Sequence, residues 1–190
     1  RFPKSAKTAV TGLPVRPEIL AVDRQTGAKH LGLDPAKRTL LVVGGSQGSR
    51  SINQAMLRVL VHYAADKELQ IIQVTGTGGY AEMRQDLADR GLALEENGNI
   101  RVVPYLYDME NALAIADLII CRAGAATLAE ITAKGIPSVL IPYPYASENH
   151  QEYNARALKT QGAACLILDR ELNGDDLLSK VQALLAKPEQ

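Results

Sequence analysis

Residues 116–135 read ADLIICRAGAATLAEITAKG. An apolar run, DLIIC, meets an arginine, then Ala-Gly-Ala-Ala and a threonine, and then a helix-like segment that stops at a glycine. The run is continuous rather than alternating, which suits a strand covered on both faces. The same unit, an apolar β-branched run handing over to a helical pattern, recurs along the chain. The runs are TLLVV (39–43), LQIIQV (69–74), NIRVV (99–103), DLIIC (117–121), PSVLI (137–141) and AACLIL (163–168). Helical patterns follow near 50–64, 80–90, 109–115, 125–134, 149–159 and 174–187. Gly91, Gly135 and Gly162 stand where C-terminal caps belong. Asp108 and Ser147 are expected N-caps. This alternation predicts an α/β fold: a Rossmann-like parallel sheet with helices on both faces and right-handed crossovers. Residues 1–190 are read as one domain. KTAV (7–10) reads as a short β-like run, and residues 15–38, rich in Pro, Gly and Arg/Lys, as an irregular connection.

The 190 residues are 46% apolar and 22% charged, near the globular average. Lys plus Arg and Asp plus Glu number 21 each, so no net charge points to nucleic acid or an anionic surface. No apolar run reaches the roughly 18 residues of a membrane span. No start resembles a signal peptide, and the absence of an initial Met suggests a fragment. Cys121 and Cys165 form no CxxC pair and are expected to be buried, reduced thiols of a cytosolic protein. Five of the seven tyrosines fall between Tyr105 and Tyr153, which gives that region a local character.

In parallel α/β sheets, ligands sit outside the carboxyl ends of the strands, so the residues after each run carry the functional information. The first such segment is GGSQGS (44–49), opening a helix. Gly44, Gly45 and Gly48 let backbone N–H groups approach a ligand, the helix N-terminus favours an anion, and Ser46 and Ser49 add hydroxyls. The segment lacks a P-loop lysine and the GxGxxG spacing; a tight turn with a capping serine is the plainer alternative. After LQIIQV the chain reads TGTGG with no acid, which counts against a dinucleotide dehydrogenase. TGTGG is expected to be a flexible loop. In VVPYLYDME, backbone groups at Tyr105 and Leu106 could read the edge of a flat base; simple packing is the alternative. In the opening stretch, Gly124 to Ala126 would form the first turn of a helix against which a ligand could rest. Thr127 and Glu130 share a face, and Glu130 leans back toward that turn, where its carboxylate could hold a vicinal diol. The alternative is close helix–sheet packing with a solvated Glu130. In PYPYASENHQEYNA, His150, Gln151 and Asn154 could bond sugar hydroxyls. His30 and His62 have no partner legible in the sequence. No catalytic Ser-His-Asp set, metal cluster or acid–base carboxylate pair is legible, so no catalytic residue, metal or cofactor is assigned.

TGLPVR, GGSQGS, VPYLYDM, CRAGAATLAE and PYPYASENHQEYNA, in this order, resemble the C-terminal half of the MurG family. These are the UDP-N-acetylglucosamine–N-acetylmuramyl-pentapeptide pyrophosphoryl-undecaprenol N-acetylglucosamine transferases of peptidoglycan synthesis. The resemblance covers nearly the whole chain. It implies the donor-binding domain of a two-domain GT-B glycosyltransferase. By that match Arg16 and Ser46, with Gln47 beside it, would meet the diphosphate, Leu106 backbone the uracil, and Glu130 the ribose. Arg122, Gly124, Ala125 and Thr127 would line the sugar-diphosphate pocket; Gln151, with His150 and Asn154, would read GlcNAc. Leu13 stands where the family usually has Asn, and Ser49 where it usually has Ala. The N-terminal domain, which would bind the acceptor lipid I, carry the proposed base and face the cytoplasmic side of the bacterial membrane peripherally, is not in this chain. The family's last helix also looks cut off near Gln190. A fragment of this kind is expected to be soluble, to bind UDP-GlcNAc and to transfer nothing. A UDP-GlcNAc 2-epimerase domain, another UDP-sugar GT-B enzyme or a non-catalytic nucleotide-binding module are the alternative readings.

Overall fold

The computed structural model describes residues 12–94 and 98–186. Six parallel strands form one sheet: β1 (Arg38–Val43), β2 (Leu69–Val74), β3 (Ile100–Val103), β4 (Leu118–Cys121), β5 (Ser138–Leu140) and β6 (Ala164–Leu166). Their order across the sheet is β3-β2-β1-β4-β5-β6. The chain thus winds outward from β1 in one direction and resumes beside β1, at β4, in the other. The helices are α1 (Pro17–Ala21), α2 (Arg24–Leu31), α3 (Arg50–Tyr63), α4 (Tyr80–Asp89), α5 (Met109–Ile115), α6 (Ala125–Lys134), α7 (His150–Thr160) and α8 (Gly174–Leu185).

The unbroken apolar runs are used on both faces. Leu40 and Val42 of β1 join Ile52, Met56 and Leu60 of α3, Met83 and Leu87 of α4, and Leu177 and Val181 of α8. Leu41, between them, points the other way, into a cluster with Ile115 of α5, Leu128 and Ile131 of α6 and Ala155 of α7. Each fully buried Leu or Ile removes enough apolar surface from water to contribute about 1.5–3 kcal/mol. This double burial is why the strand sequences do not alternate.

Residues 15–38 are not an irregular connection. They hold α1 and α2, and Arg24 makes the largest set of side-chain bonds that fasten them. Its guanidinium makes a two-pronged pair with Asp117 (both bonds 3.0 Å) and reaches the carbonyls of Pro35, Ile115 and Lys37. Asp117 also accepts from the backbone N–H of Thr39, at 2.7 Å, which ties the segment to the starts of β1 and β4. Gly27 lies inside α2. It is the contact point of two helices, since a Cβ there would lie 2.6 Å from the carbonyl oxygen of Asn111 on α5. KTAV lies outside the described residues.

Three local expectations need correcting. Asp108 precedes α5 but its side chain does not cap it; the carboxylate meets His30 Nε2 at 3.3 Å instead. Ser147 opens a 3-10 turn, Ser147–Asn149, and Asn149 is the residue before α7. Cys165 is only half-buried, whereas Cys121 is buried; both are free thiols. Burial pushes the Cys121 thiol up to about 12, so it is a packing residue and not a nucleophile. Gly135 does close α6 in the left-handed conformation (φ 66°), with its N–H on the carbonyls of Ile131 and Thr132.

Candidate functional site

The reversal of strand order between β1 and β4 opens a crevice at their carboxyl ends, the position where doubly wound sheets take ligands. GGSQGS leaves β1 on one side of it and CRAGAAT leaves β4 on the other.

The two helices that start there are finished differently. Ser49 caps α3, its hydroxyl accepting from the N–H of Ile52 at 3.3 Å. Gly124 precedes α6 and offers no side-chain cap. The first helical bond of α6 runs from Leu128 N–H to Gly124 O. Among the described residues, the N–H groups of Ala125, Ala126 and Thr127 therefore have no partner, and they carry the positive end of the α6 dipole. Gly124 has an ordinary φ of −67°, and a Cβ there would meet no atom within 4 Å. Neither conformation nor packing requires glycine at this position, and Ala125 and Ala126 are exposed. Close helix–sheet packing thus does not account for the small residues; open access to the helix end does.

The glycine loop is more constrained. Gly45, Ser46 and Gln47 are exposed, and Gly48 N–H bonds Gly45 O at 2.9 Å. Gly48 lies against the TGTGG segment: its Cβ would fall 2.0 Å from Thr75 O, and a Cβ on Gly76 would fall 2.4 Å from Gln47 O. Thr75 is fully buried and its hydroxyl bonds Gly76 O and Val103 O. TGTGG is therefore not a free loop. It is a backbone platform under the first glycine loop, and its Gly76 serves close approach between two backbone segments, whereas a Cβ on Gly78 would meet no atom within 4 Å.

Arg16 and Glu130, 114 positions apart in sequence, meet as an ion pair at 3.3 Å, with Glu130 largely covered. At the β3 end, the side chain of Leu106 packs on the α5–α6 core cluster. Among the described residues, neither its N–H nor its C=O pairs with backbone, so an edge donor and acceptor remain available. Tyr105 and Tyr107 flank it, ring centroids 4.8 Å apart.

From α7, two side chains grip the residue between Arg122 and Gly124. Gln151 Oε1 accepts from Ala123 N–H (3.1 Å) and Tyr143 N–H (3.0 Å), and Asn154 Nδ2 donates to Ala123 O (3.2 Å). Because both partners of Gln151 are donors, its oxygen is fixed inward, and among the described residues its NH2 has no partner. Asn154 keeps its oxygen. His150 Nδ1 lies 2.7 Å from Ser147 O; a carbonyl only accepts, so in the neutral ring Nδ1 carries the proton and Nε2 presents a lone pair outward. Together these groups offer donors and acceptors suited to hydroxyls. Just ahead of them Glu148 and Asn149 hold left-handed backbone, φ 49° and 55°, a strained joint of the kind found at functional sites.

Arg122 behaves differently from the pocket-lining role foreseen for it. Its guanidinium is turned inward, bonded to the carbonyls of Ile141 and Pro142, to Asp169 Oδ1, and to the hydroxyls of Ser49 and Ser51. Asp169, on a 3-10 turn after β6, was not legible as a site residue. Among the described residues, no group of three His, Cys, Asp or Glu could hold a metal ion, and no helix is long and apolar enough to cross a membrane.

An enclosed cavity lies away from this rim and a shallower one beside it. One of about 330 Å³, lined by Ile131, Ser138, Leu158, Cys165 and Leu184 among others, sits at the amino ends of β5 and β6. A shallower one of about 490 Å³, lined by Leu13, Val15, Ala125 and Asn154 among others, opens beside the start of α6. The chemistry favours the crevice, because the open helix end and the converging polar groups are there.

Residues 39–190 match the family model of the glycosyltransferase family 28 C-terminal domain. The chain belongs to that family. It is 52% identical over 189 residues to the UDP-N-acetylglucosamine–N-acetylmuramyl-(pentapeptide) pyrophosphoryl-undecaprenol N-acetylglucosamine transferase of Desulforamulus reducens, covering 100% of this chain and 51% of that protein. It is 52% identical over 190 residues to the transferase of the same name from Moorella thermoacetica, with the same two coverages. Among solved structures, Acinetobacter baumannii MurG superposes with a TM-score of 0.72 at 29% identity, over 97% of this chain and 49% of that one. The family 28 domain spans about half the length of the curated relatives it matches.

Proposed function

We propose that this family 28 domain is the donor-binding half of an inverting transferase that moves GlcNAc from UDP-GlcNAc to lipid I, giving lipid II. The names of its relatives supply the reaction class. The observation on the chain itself that carries the reading is the uncapped N-terminus of α6, open above Gly124 and facing the switch-point crevice. A diphosphate is the natural occupant of such an end. Ala125, Thr127 and the loop around Ser46 and Gln47 would surround it, with Arg16 supplying charge. Glu130 would take the ribose diol and the Leu106 backbone the uracil edge. His150 Nε2, the Gln151 NH2 and the Asn154 oxygen would meet GlcNAc hydroxyls.

In the reaction, the leaving diphosphate accumulates negative charge as the glycosidic bond to UDP breaks. Two fixed helix N-termini and one guanidinium are already aimed to stabilise it, without reorganisation. The acceptor hydroxyl also needs a base. Glu130 is paired with Arg16 and Asp169 with Arg122, and in this reading the base would come from the partner domain. That domain would bind lipid I and rest peripherally on the cytoplasmic face of the bacterial membrane. No nucleic acid, cofactor or metal enters the scheme.

Calorimetric titration tests the reading. UDP should bind the isolated chain, and no GlcNAc should pass to a lipid I analogue. Glu130→Ala should lower UDP affinity about ten- to a hundredfold, from the roughly 1.5–3 kcal/mol of hydrogen bonds to a charged group, with the fold retained. Absence of UDP binding at millimolar concentration sinks the donor site; transfer by the chain alone sinks the division of labour.

A further inference from the structure

The polar knot around Arg122 has a determinate direction. Ser49 Oγ already accepts from Ile52 N–H (3.3 Å) and from Arg122 Nη2 (2.7 Å), so both its lone pairs are occupied. In its 3.1 Å contact with Ser51 Oγ it must therefore be the donor. Ser51 accepts there and from Arg122 (3.1 Å), and donates its one proton to Asp169 Oδ1 at 2.7 Å. The same Asp169 oxygen accepts from Arg122 Nη1 at 2.5 Å. Asp169 is thus the terminal acceptor of the whole chain of bonds, and the side chains of Arg122 and Asp169 are only 12% and 19% exposed. Neither serine has a hydrogen left for a ligand. What the knot does is join four strand ends: β1 through Ser49, β4 through Arg122, β5 through the Ile141 and Pro142 carbonyls, and β6 through Asp169.

We propose that Asp169 is a positioning residue for the diphosphate: acting through Arg122 and Ser51, it fixes the Ser49 cap and hence the Gly44–Ser49 loop at the start of α3. This rests on the donor-site reading above. Asp169 touches no part of the nucleotide, and the base and ribose contacts at Leu106 and Glu130 stand apart from the knot. Loss of Asp169 therefore weakens recognition of the diphosphate and spares that of the nucleoside.

The test is an NMR titration of the chain with UDP and with uridine, beside amide exchange at Ile52. Asp169→Ala should lower UDP affinity about tenfold, leave uridine affinity within about twofold, and speed exchange of the Ile52 amide. Asp169→Asn, which keeps an acceptor oxygen, should recover most of the UDP affinity. Should Asp169→Ala fail to fold, Ser51→Ala reads the same split with a smaller loss for UDP alone. Unchanged UDP affinity in a folded Asp169→Ala chain overturns the proposal. So does an equal fall for UDP and uridine, or UDP binding by Asp169→Asn tighter than in the unaltered chain. If the unaltered chain binds no UDP, the donor reading falls and this diphosphate role with it, whereas protection of Ile52 still reports whether Asp169 holds the cap.

Discussion

Helices α3 and α6 begin on opposite sides of one crevice, yet their first turns are completed differently. The α3 end is braced from within: Ser49 caps it at the Ile52 N–H, Arg122 steadies Ser49, and the Gly48–Gly76 contact supports the loop from below. The α6 end is left bare above a glycine that nothing in the protein requires. The difference separates two uses of small residues that look alike in a sequence. Around Gly48 they let backbones touch; around Gly124 they leave room for something else.

The largest effect should come from breaking the supported side. Gly48→Ala forces a Cβ onto Thr75 O at a φ of +77°. Left-handed strain of about 1–3 kcal/mol adds to overpacking of about 1–3 kcal/mol. A loss of about 2–6 kcal/mol should appear in denaturant unfolding, and a loss under about 1 kcal/mol would refute the platform. A paired exchange of caps comes next. Ser49→Ala should cost about 1 kcal/mol of stability, as cap losses do. Gly124→Ser should do the reverse, holding or raising stability by a few tenths of a kcal/mol. The new hydroxyl would also occupy the free N–H groups with a lone pair, so UDP affinity should fall about tenfold. If Gly124→Ser binds UDP as well as the unaltered chain, the α6 end is not the anion site.

The smallest effect concerns acid. Asp23 caps α2, and its bond from the Thr26 N–H holds its carboxyl below the usual carboxylate range. Glu152, in the first turn of α7, is held below its ordinary value by the Asn149 amide and then by Arg156. Depressed carboxyls stabilise the fold above their unfolded values and lose that contribution as pH falls through the folded ones. Stability should thus decline below about pH 4.5, and Asp23→Asn with Glu152→Gln should flatten the decline. The bare α6 end adds no carboxylate cap of its own, so Gly124→Ser should leave the slope unchanged.

Much of the scaffold was legible because double burial writes itself into single runs: β2 falls on 69–74, and α5 and α6 on 109–115 and 125–134, as the sequence predicts. The bare start of α6 was legible too, from four small residues after a strand. The α1–α2 segment was not. Its helices are short, α1 of five residues and α2 of eight, and Arg24 reaches partners up to 93 positions away. Asp169 was hidden for the same reason, lying 47 positions from Arg122 and 118 from Ser51. TGTGG misled because glycine serves mobility and close packing alike, and only the neighbouring strand decides which.

The most direct test of the α6 claim is an amide chemical-shift titration of the isotopically labelled chain with UDP. The account predicts saturable shifts centred on Gly45–Ser49, Leu106 and Ala123–Glu130, with the amino-end cavity around Ser138 and Cys165 silent. Shifts concentrated at Ser138 and Cys165, or saturation that leaves Ala125, Ala126 and Thr127 unmoved, would contradict it.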